Sequence, residues 1–279
     1  VKINREHPVL VDKYLLGKEI EVDAVSDGQE VLIPGIMQHI ERAGVHSGDS
    51  MAVFPAYDLS QQIKEKVVDY TTRLAVELKV KGLINIQFVE FEDELYVLEV
   101  NPRSSRTIPF ISKVTGIPMV KLATEIILGK SLRDLGYQGG LQAQPNYYAV
   151  KVPVFSFNKL EQVDITLGPE MKSTGEVMGI DRSLKAALYK GLIAAGVEIP
   201  VKGTIAATIA DKDKEEAIPI LQKFAQMGFK LLATEGTAAA LLKAGVKVQK
   251  VNKFKETHPN IVDLIREGKV DFVVNTLTH

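Results

Sequence analysis

The stretch LYVLEVNPRSSRTIPF begins as an apolar strand and then places four polar side chains where such a strand should end: Glu99, Asn101, Arg103 and Arg106. The proline that follows Asn101 cannot donate a hydrogen bond to a neighbouring strand, so it ends the strand there. Carboxylate and amide oxygens bind hard metal ions, and guanidinium groups form paired hydrogen bonds with anionic oxygens. The stretch therefore predicts a site for a metal ion and an anionic substrate.

A second apolar run, LINIQFVEF, precedes this strand across an acidic turn, and the two runs predict an antiparallel hairpin centred on Asp93. In that register Gln87 lies opposite Glu99, with Cβ atoms ~5 Å apart, and Asn101 follows on the same face. A slip of one residue would exchange the polar and apolar faces, which a buried face opposes strongly. The other face of the hairpin is expected to form a buried layer: Ile84, Ile86, Phe88, Tyr96, Leu98 and Val100.

The polar face of this hairpin offers three oxygen-bearing side chains, those of Gln87, Glu99 and Asn101. Magnesium in nucleotide sites uses few carboxylates and completes its shell with waters and phosphate oxygens. A solvated sheet face with ordinary polar residues is the alternative on geometry alone. Arg103 and Arg106 favour the metal site, because anionic oxygens beside the metal would meet their guanidinium groups.

Hydrophobic spacing predicts the elements that position these residues. Extended runs are predicted for HPVLVDKYL and for the hairpin EIEVDAVSDGQEVLIPG, which turns at SDGQ. Helices are predicted for MQHIERAG, for SQQIKEKVVDYTTRLAVELKV between an N-cap at Ser60 and a stop at Gly82, and for VKLATEIILGK, which ends at Gly129. The glycine-rich stretch from Gly136 to Asn146 is predicted to be a connection.

A compositional break near AAGVEIPVKG divides the chain into two predicted domains, residues 1–196 and 197–279, with the connection from about residue 136 inside the first. Beyond the break, the strands TIAATIA, FKLLAT, VKVQKV and VDFVVNT alternate with the helices EEAIPILQKFAQMG, GTAAALLKAG and PNIVDLIREG. This alternation predicts a parallel sheet covered by helices. The predicted fold class is α/β, with a mainly antiparallel α+β domain followed by a small Rossmann-like parallel unit.

The second domain contains its own candidate site. Thr234 and Thr237 stand at a strand-to-helix turn, where backbone amides and the helix N-terminus attract phosphate. An ordinary helix cap is the alternative, since threonine is common there. Four further residues lie on other loops that are predicted to reach the same edge of the sheet, where open α/β folds bind ligands: Lys214, Lys253, Asn275 and Thr276.

Composition excludes several classes of function. With 279 residues, 46% apolar and 25% charged, the chain has room for about two globular domains. A net charge of −1 and a pI near 6.6 provide no basic surface for nucleic acid or an anionic membrane. The absence of cysteine excludes disulfides, thiolate zinc sites and cysteine nucleophiles, and it fits a cytoplasmic protein. Because the chain opens on Val1 without an initiator methionine, we expect it to be the C-terminal part of a longer polypeptide.

Two long motifs, FVEFEDELYVLEVNPRSSRTIPFISKVTGIP and VLIPGIMQHIERAGVHSGDS, resemble the second, C-terminal ATP-grasp half of the carbamoyl phosphate synthetase large subunit, and the resemblance extends across essentially the whole chain. It implies an ATP-grasp fold and the phosphorylation of carbamate by ATP with Mg²⁺ or Mn²⁺, in pyrimidine and arginine biosynthesis. The residues that it implies for the metal are Gln87, Glu99 and Asn101. Those implied for the anionic substrate and intermediate are Arg103 and Arg106. Those implied for ATP are Lys13 and Leu15 at the adenine, Glu19 near the ribose, then Gly44, Val45, His46 and Ser47, together with Gln87 and Glu99.

The second domain resembles the methylglyoxal-synthase-like domain that regulates this synthetase. In bacterial members of the family, the matching residues bind the feedback nucleotide UMP; here they are Lys214, Thr234, Thr237, Lys253, Asn275 and Thr276. The chain departs from the family where it ends in NTLTH, so the domain is expected to be incomplete at its C-terminus. We therefore expect the domain to differ from true methylglyoxal synthase, in which a glycine-rich acidic catalytic loop follows this strand.

The resemblance also implies partners: the remainder of the large subunit, which carries the glycine-rich subdomain over the triphosphate, and the glutamine-hydrolysing small subunit. This chain alone is expected to hold half an active site and to be inactive. Two alternatives stay open. One is another ATP-grasp ligase of the biotin carboxylase type, although the missing biotin site and the attached regulatory domain count against it. The other is a non-catalytic nucleotide sensor.

Several polar residues have ordinary explanations in the sequence alone. Glu19 and Glu21 fit the exposed face of an alternating strand, and His46 fits a loop histidine. The glycines on both sides of His46 would let backbone approach a nucleotide, which favours a binding role within the ATP-grasp family. No metal spacing connects the other histidines, which are predicted to be surface or cap residues: His7, His39, His258 and His279.

Overall fold

The computed structural model describes residues 11, 13–157 and 164–276. The chain divides into two compact units, Val1–Val197 and Glu198–His279. Most of the predicted extended run HPVLVDKYL lies outside the described residues. Within the described ranges, no helix is long and apolar enough to cross a membrane.

The N-terminal unit is built on a mainly antiparallel sheet. Its strands follow the order β6-β5-β1-β3-β4-β8-β9, with β2 paired to β1 and β7 paired in parallel to β2. The strands are β1 Lys18–Ser26, β2 Val31–Ile33, β3 Met37–Arg42, β4 Ala52–Phe54, β5 Gly82–Phe91, β6 Glu94–Asn101, β7 Gly140–Leu141, β8 Tyr148–Val154 and β9 Gly175–Asp181. The helices are α1 Gln61–Glu77, α2 Ile108–Thr115, α3 Met119–Ile127 and α4 Leu184–Ala194. The prediction of a mainly antiparallel sheet is confirmed.

Helix α1 covers one face of the central strands. It begins after Ser60, whose hydroxyl accepts a hydrogen bond from the Ile63 amide over 3.2 Å, as the sequence predicts. Its buried side chains pack on the apolar residues of β1 and β5, including Phe88. The predicted stop is wrong, because the helix ends at Glu77 and Gly82 opens β5 instead.

Helices α2 and α3 cover part of the opposite face, where they pack around Val25 of β1 and Phe54 of β4. The rest of that face carries polar residues and forms the candidate site described below. Helix α4 packs on Val150 and Val152 of β8. The sheet therefore has one mostly apolar face, on which Gln38 is a buried polar residue, and one face that is apolar at one end only.

Two local predictions are wrong. MQHIERAG forms strand β3 rather than a helix, because it pairs with β1 on one side and β4 on the other. Met37, Gln38 and His39 are consecutive and all buried, so pairing and burial on both faces override the local spacing. The stretch that becomes α2 is not predicted as a helix at all, and the predicted connection contains the short strand β7.

The hairpin of β5 and β6 has the predicted pairing at its polar end. Gln87 lies opposite Glu99, and Asn85 lies opposite Asn101. The register then shifts between Gln87 and Phe88, so that Phe88 lies opposite Val97. A β-bulge of this kind is typical beside functional sites, because it re-aims a side chain.

The bulge overturns the predicted buried layer. Tyr96 is 44% exposed and Leu98 is 47% exposed, whereas Leu95, which was not in the predicted layer, is 6% exposed and packs in the core with Phe88. The extra residue in β6, Leu98, changes which face each earlier position of the strand, from Glu94 to Val97, occupies. Leu98 consequently belongs to the polar face of the hairpin, next to Glu99.

The C-terminal unit is a parallel sheet with covering helices, as predicted. The strand order is β12-β11-β10-β13, and each pairing among the described residues is parallel. The strands are β10 Thr204–Thr208, β11 Lys230–Thr234, β12 Gln249–Val251 and β13 Phe272–Asn275, and the helices are α5 Lys214–Gln226, α6 Glu235–Lys243 and α7 Ile261–Arg266. Helices α5 and α6 bury one sheet face and α7 packs on the other.

The shifted register makes a prediction about stability. Leu95→Ala should lower the free energy of unfolding by about 2–5 kcal/mol, because it removes a buried side chain and leaves a cavity beside Phe88. Leu98→Ala is the matched control and should lower it by less than about 1 kcal/mol, since that side chain is largely exposed. Urea denaturation of both variants measures the difference. A larger loss for Leu98→Ala would contradict the bulge.

Candidate functional site

A cleft of about 250 Å³ lies beside the polar end of the β5–β6 hairpin. The predicted residues that line it are Glu19, Gly44, Val45, His46, Ser47, Gln87 and Glu99. Residues from β1, from the loop after β3 and from both hairpin strands thus meet in one small volume. Lys13 and Leu15 are not among its lining residues: Lys13 is exposed and Leu15 is half-buried.

The three predicted metal ligands lie together on the polar face. Asn101 Nδ2 donates a hydrogen bond to Glu99 Oε1 over 3.0 Å, and Gln87 Nε2 donates to Ser47 Oγ over 3.1 Å. Because both amide nitrogens are engaged, the amide oxygens and the second Glu99 oxygen are the atoms suited to a metal.

This donor set contains hard oxygens and a single carboxylate. Within the described ranges, no group of three or more His, Asp or Glu residues could hold a metal ion by itself. The set therefore fits Mg²⁺ or Mn²⁺ held jointly with phosphate oxygens and waters rather than an all-protein metal centre.

The loop after β3 depends on close backbone approach. Gly44 has φ +110°, and a Cβ there would lie within 3.0 Å of the Tyr14 ring. His46 Nδ1 accepts a hydrogen bond from the Gly48 amide over 3.0 Å and so caps the short 3-10 helix Ser47–Asp49. The histidine that the sequence singled out therefore shapes the loop as well as lining the cleft.

Lys151 of β8 is a contributor that the sequence analysis missed. It is 1% exposed, and its ammonium donates to the Ser47 carbonyl oxygen over 2.9 Å. A buried ammonium is costly unless it is paired, and this one also acts on the carboxylates of Glu21 and Glu41. The signal was a lone lysine in the apolar run YYAVKVPV, which is weak evidence without a structure.

The two predicted arginines differ in their surroundings. Arg106 Nη1 donates to Ser173 Oγ over 3.2 Å and contacts Met171 Sδ at 2.8 Å. Arg103 is exposed, and its guanidinium donates to the adjacent Ser104 carbonyl oxygen over 2.9 Å. Arg106 is therefore held in place by protein contacts, whereas Arg103 points to the surface at the end of β6.

The segment that holds Arg106 was not predicted to belong to the site. Asp49 is fully buried and accepts hydrogen bonds from the Lys172 and Ser173 amides, each over 2.8 Å. The His46 amide donates to Gly168, and Pro169 lines the cleft. The GPEMKST segment thus joins the loop after β3 to Arg106.

A row of buried polar side chains lies behind the cleft, along β1. Glu19 and Glu21 are each 3% exposed, so their reading as an exposed strand face is wrong. The prediction of His39 as a surface or cap residue is also wrong: it is 2% exposed, with Nε2 3.1 Å from Glu21 Oε2. His39 Nδ1 lies 3.3 Å from Glu19 Oε1, close enough for an ion pair but not aligned as a hydrogen bond.

These contacts determine the charges of His39 and Glu21. Burial alone would lower the pKa of His39, but Glu19 and Glu21 outweigh it and raise the pKa to about 9. Burial alone would raise the pKa of Glu21, but His39, Lys151 and Asn85 outweigh it and lower the pKa. His39 is therefore a buried cation between two carboxylates at neutral pH.

Of the remaining histidines, one lies within the described residues. His258 is exposed, and its Nδ1 lies 2.6 Å from Asp263 Oδ2, which agrees with the predicted surface role. His7 and His279 lie outside the described residues.

A second cleft, of about 300 Å³, lies in the C-terminal unit at the carboxyl ends of the strands. Its lining includes the six predicted effector residues: Lys214, Thr234, Thr237, Lys253, Asn275 and Thr276. Their predicted convergence at one sheet edge is confirmed, and their role in binding an effector stays a prediction.

The turn at the start of α6 is not an ordinary side-chain cap. Thr234 occupies the N-cap position, but its hydroxyl makes no capping bond and instead donates to Thr208 Oγ1 over 3.3 Å. The buried Thr237 hydroxyl accepts from the Ile209 amide over 3.0 Å, and Thr276 Oγ1 accepts from Ala210 over 2.8 Å. The threonines thus brace the neighbouring strand end, and Gly236 in the first turn of α6 lines the cleft.

A larger cavity of about 940 Å³ in the same unit lies at the amino ends of the strands, beside Thr204, Lys230 and Asp271. None of the predicted effector residues lines it. Open α/β sheets bind ligands at the carboxyl ends of their strands, so the smaller cleft is the better candidate.

Two family models match parts of the chain. Residues 4–135 match the family described as the carbamoyl-phosphate synthase L chain, ATP binding domain, and residues 216–279 match the MGS-like domain. The biotin carboxylase domain of a single-chain bacterial carboxylase is similar in structure, with a TM-score of 0.49 and 21% identity over 64% of this chain and 46% of that chain.

The urea carboxylase of Kluyveromyces lactis is also similar in structure, with a TM-score of 0.48 and 17% identity over 62% of this chain and 17% of that chain. The chain thus spans less than half the length of either solved structure. The two family matches agree with the predicted resemblance: a region similar to the ATP-binding domain of the carbamoyl-phosphate synthase L chain is followed by a region similar to an MGS-like domain.

Proposed function

We propose that this chain supplies part of an ATP-grasp site that phosphorylates carbamate and so forms carbamoyl phosphate. The observation that carries the proposal is the convergence of the nucleotide loop Gly44–Ser47 with Gln87 and Glu99 in one cleft, directly before the strand end that bears two arginines. The match of residues 4–135 to the carbamoyl-phosphate synthase family supports the choice of substrate.

The proposed reaction is an in-line transfer of the γ-phosphoryl group of ATP to a carbamate oxygen, with ADP as the leaving group. Gln87, Glu99 and Asn101 would hold Mg²⁺ or Mn²⁺, which supplies charge neutralisation at the phosphates when bound. Arg106, held by Ser173, would bind the anionic acceptor, and the exposed Arg103 would close on it from the strand end. No side chain needs to act as a nucleophile, because catalysis of this kind is positioning and electrostatic stabilisation.

Further parts of the site are proposed on the resemblance alone. Lys13 and Leu15 would contact the adenine and Glu19 the ribose. The remainder of the large subunit would cover the triphosphate, and the glutamine-hydrolysing small subunit would supply ammonia for the carbamate, in the cytoplasm. The second cleft would bind UMP, with Lys253 and Lys214 and the N-terminus of α6 directed at its phosphate.

A ligase of the biotin carboxylase type is the second candidate enzyme. The MGS-like domain favours the synthetase over this alternative, because it matches the regulatory domain expected of the synthetase. A non-catalytic nucleotide sensor is the third candidate, and the convergence of six polar residues in the C-terminal cleft is the observation in its favour. Metal-dependent binding of ATP separates the enzymes from the sensor.

The first test concerns Glu99. Glu99→Gln should weaken Mn²⁺-dependent binding of ATP at least tenfold, because it removes the one carboxylate of the proposed metal site. In the assembled synthetase it should lower carbamoyl phosphate formation roughly 100-fold or more. Calorimetry on the chain and turnover of the assembled enzyme measure the two effects.

Glu94→Gln is the matched control for this test. Glu94 begins the same strand but pairs with Lys66 on the surface, so its variant should bind ATP within twofold of wild type. Equal ATP affinity in wild type and Glu99→Gln at saturating metal would rule out the assignment of Glu99.

The second test concerns the effector cleft. Lys253→Ala should weaken UMP roughly tenfold or more, because a charge-assisted bond to phosphate contributes about 1.5–3 kcal/mol. Uridine, which lacks the phosphate, should bind far more weakly to wild type. Lys269→Ala is the control, since Lys269 lines the cavity at the other edge of the sheet. If calorimetry gave the larger loss for Lys269→Ala, UMP would bind at that other edge.

A further inference from the structure

Two buried carboxyl groups and two hydroxyl groups meet beneath the loop that carries the arginines. Ser105 Oγ lies 2.7 Å from Asp23 Oδ1 and 2.8 Å from Thr107 Oγ1. Thr107 Oγ1 lies 2.6 Å from Asp23 Oδ2 and 2.9 Å from Glu21 Oε1. Four contacts of hydrogen-bond length therefore join four oxygen-bearing side chains.

The hydrogens available do not suffice if both carboxyl groups are ionised. Ser105 and Thr107 supply one hydroxyl hydrogen each. Asn85 Nδ2 uses its two hydrogens on Glu21 Oε1 at 2.9 Å and Asp23 Oδ1 at 3.0 Å. Thr107 would then face two carboxylate oxygens with one hydrogen, and one short contact between buried oxygens would be repulsive.

One added proton on Asp23 Oδ2 removes this conflict. Asp23 Oδ2–H then donates to Thr107, Thr107 donates to Glu21, and Ser105 donates to Asp23 Oδ1. Only the contact between the Ser105 and Thr107 oxygens is left without a hydrogen.

The surroundings decide which carboxyl group holds the proton. Glu21 contacts the cationic His39 through its other oxygen and has Lys151 nearby, so it stays ionised. Asp23 is 0% exposed, and the groups that contact it are the neutral Asn85, Ser105 and Thr107. Burial, and next the charge of Glu21, raise the pKa of Asp23 to about 7 despite these hydrogen bonds.

We propose that Asp23 is a positioning residue that carries a proton and, through Ser105 and Thr107, holds the loop that bears Arg103 and Arg106. Ser105 and Thr107 stand on either side of Arg106, so fixing both fixes the backbone from which its side chain reaches Ser173. The consequence for substrate binding rests on the proposed function of the arginines. The placement of the proton does not.

The proposal sets the sign of a pH effect. An aspartate has an ordinary pKa of 3.8, so between pH 4 and 7 the folded state keeps a proton that the unfolded state has lost. The free energy of unfolding therefore falls as pH rises through this window, in proportion to the difference in bound protons. Asp23→Asn cannot ionise, so its stability should lack this contribution.

Three variants test the role of Asp23 in the full chain. An asparagine donates from one atom and accepts on the other, as a protonated acid does, so Asp23→Asn should preserve the loop. Hydrogen exchange of the amides of residues 103–107 should stay within threefold of wild type in Asp23→Asn and rise at least tenfold in Asp23→Ala. Asp69→Asn, at an exposed ion pair on α1, is the control and should change nothing.

Infrared difference spectra locate the proton. Wild type minus Asp23→Asn should show the carbonyl band of a protonated carboxylic acid at pH 6, and the band should disappear with a midpoint near pH 7, the pKa given above. Absence of the band at pH 6, or faster exchange in Asp23→Asn than in Asp23→Ala, would overturn the proposal.

A second pair of variants keeps the test decisive if Asp23→Ala does not fold. Thr107→Ser retains the hydroxyl and should exchange like wild type, whereas Thr107→Val removes it and should speed exchange of the loop at least tenfold. Equal exchange in both would overturn the proposal. If wild type did not bind ATP, that result would contradict the proposed function. It would not affect what the hydrogen-exchange and infrared measurements say about Asp23.

Discussion

The acidic face of strand β1 is the constraint on which the N-terminal unit depends. The strand lies between β5 and β3 and is hydrogen-bonded on both edges, and of its three buried acidic residues only Glu19 lines the cleft. Burying ionised carboxylates without partners costs several kcal/mol each. The partners are His39 from β3, Asn85 from β5 and Thr107 from the loop after β6, and these contacts hold three segments that carry or adjoin site residues in fixed positions.

Such a network specifies one arrangement more than it adds stability. Buried polar groups that are fully satisfied restrict the packing to one geometry, whereas a single missing partner leaves an uncompensated charge. The opposite face of β1 is apolar and packs under α1, which supplies the hydrophobic stabilisation. The same strand thus stabilises the fold with one face and positions residues of the candidate cleft with the other.

The sequence predicts those parts of the structure that depend on local spacing. The polar pairing of Gln87 with Glu99, the Ser60 cap and the alternating elements of the C-terminal unit all follow from periodicity and turn residues. The convergence of six residues at one sheet edge follows from a general rule for parallel sheets.

The missed features depend on tertiary context. A β-bulge at Leu98, the burial of His39 and the strand formed by MQHIERAG are decided by what packs on them, and none leaves a local signal. Lys151 and Asp49 lie far in sequence from the segments that they hold, at Ser47 and at residues 172–173. Long-range polar contacts of this kind are set by the assembled sheet, so one sequence cannot indicate which distant partner a buried charge will find.

Polar residues converge in a cleft in each unit, but the strands bring them together in different ways. In the C-terminal unit, parallel strands all end at one edge, so loop residues converge without a buried charge network. In the N-terminal unit, antiparallel strands deliver side chains from the middle of a sheet face, where the nearest route to solvent is the cleft itself. In that unit the cleft is lined by Glu19 from the buried acidic face of β1, and the bulge places Leu98 beside Glu99 at the cleft. The row of buried polar side chains behind the cleft is therefore part of how a site is built on a sheet face. Its residues constrain the site even where they do not line the cleft.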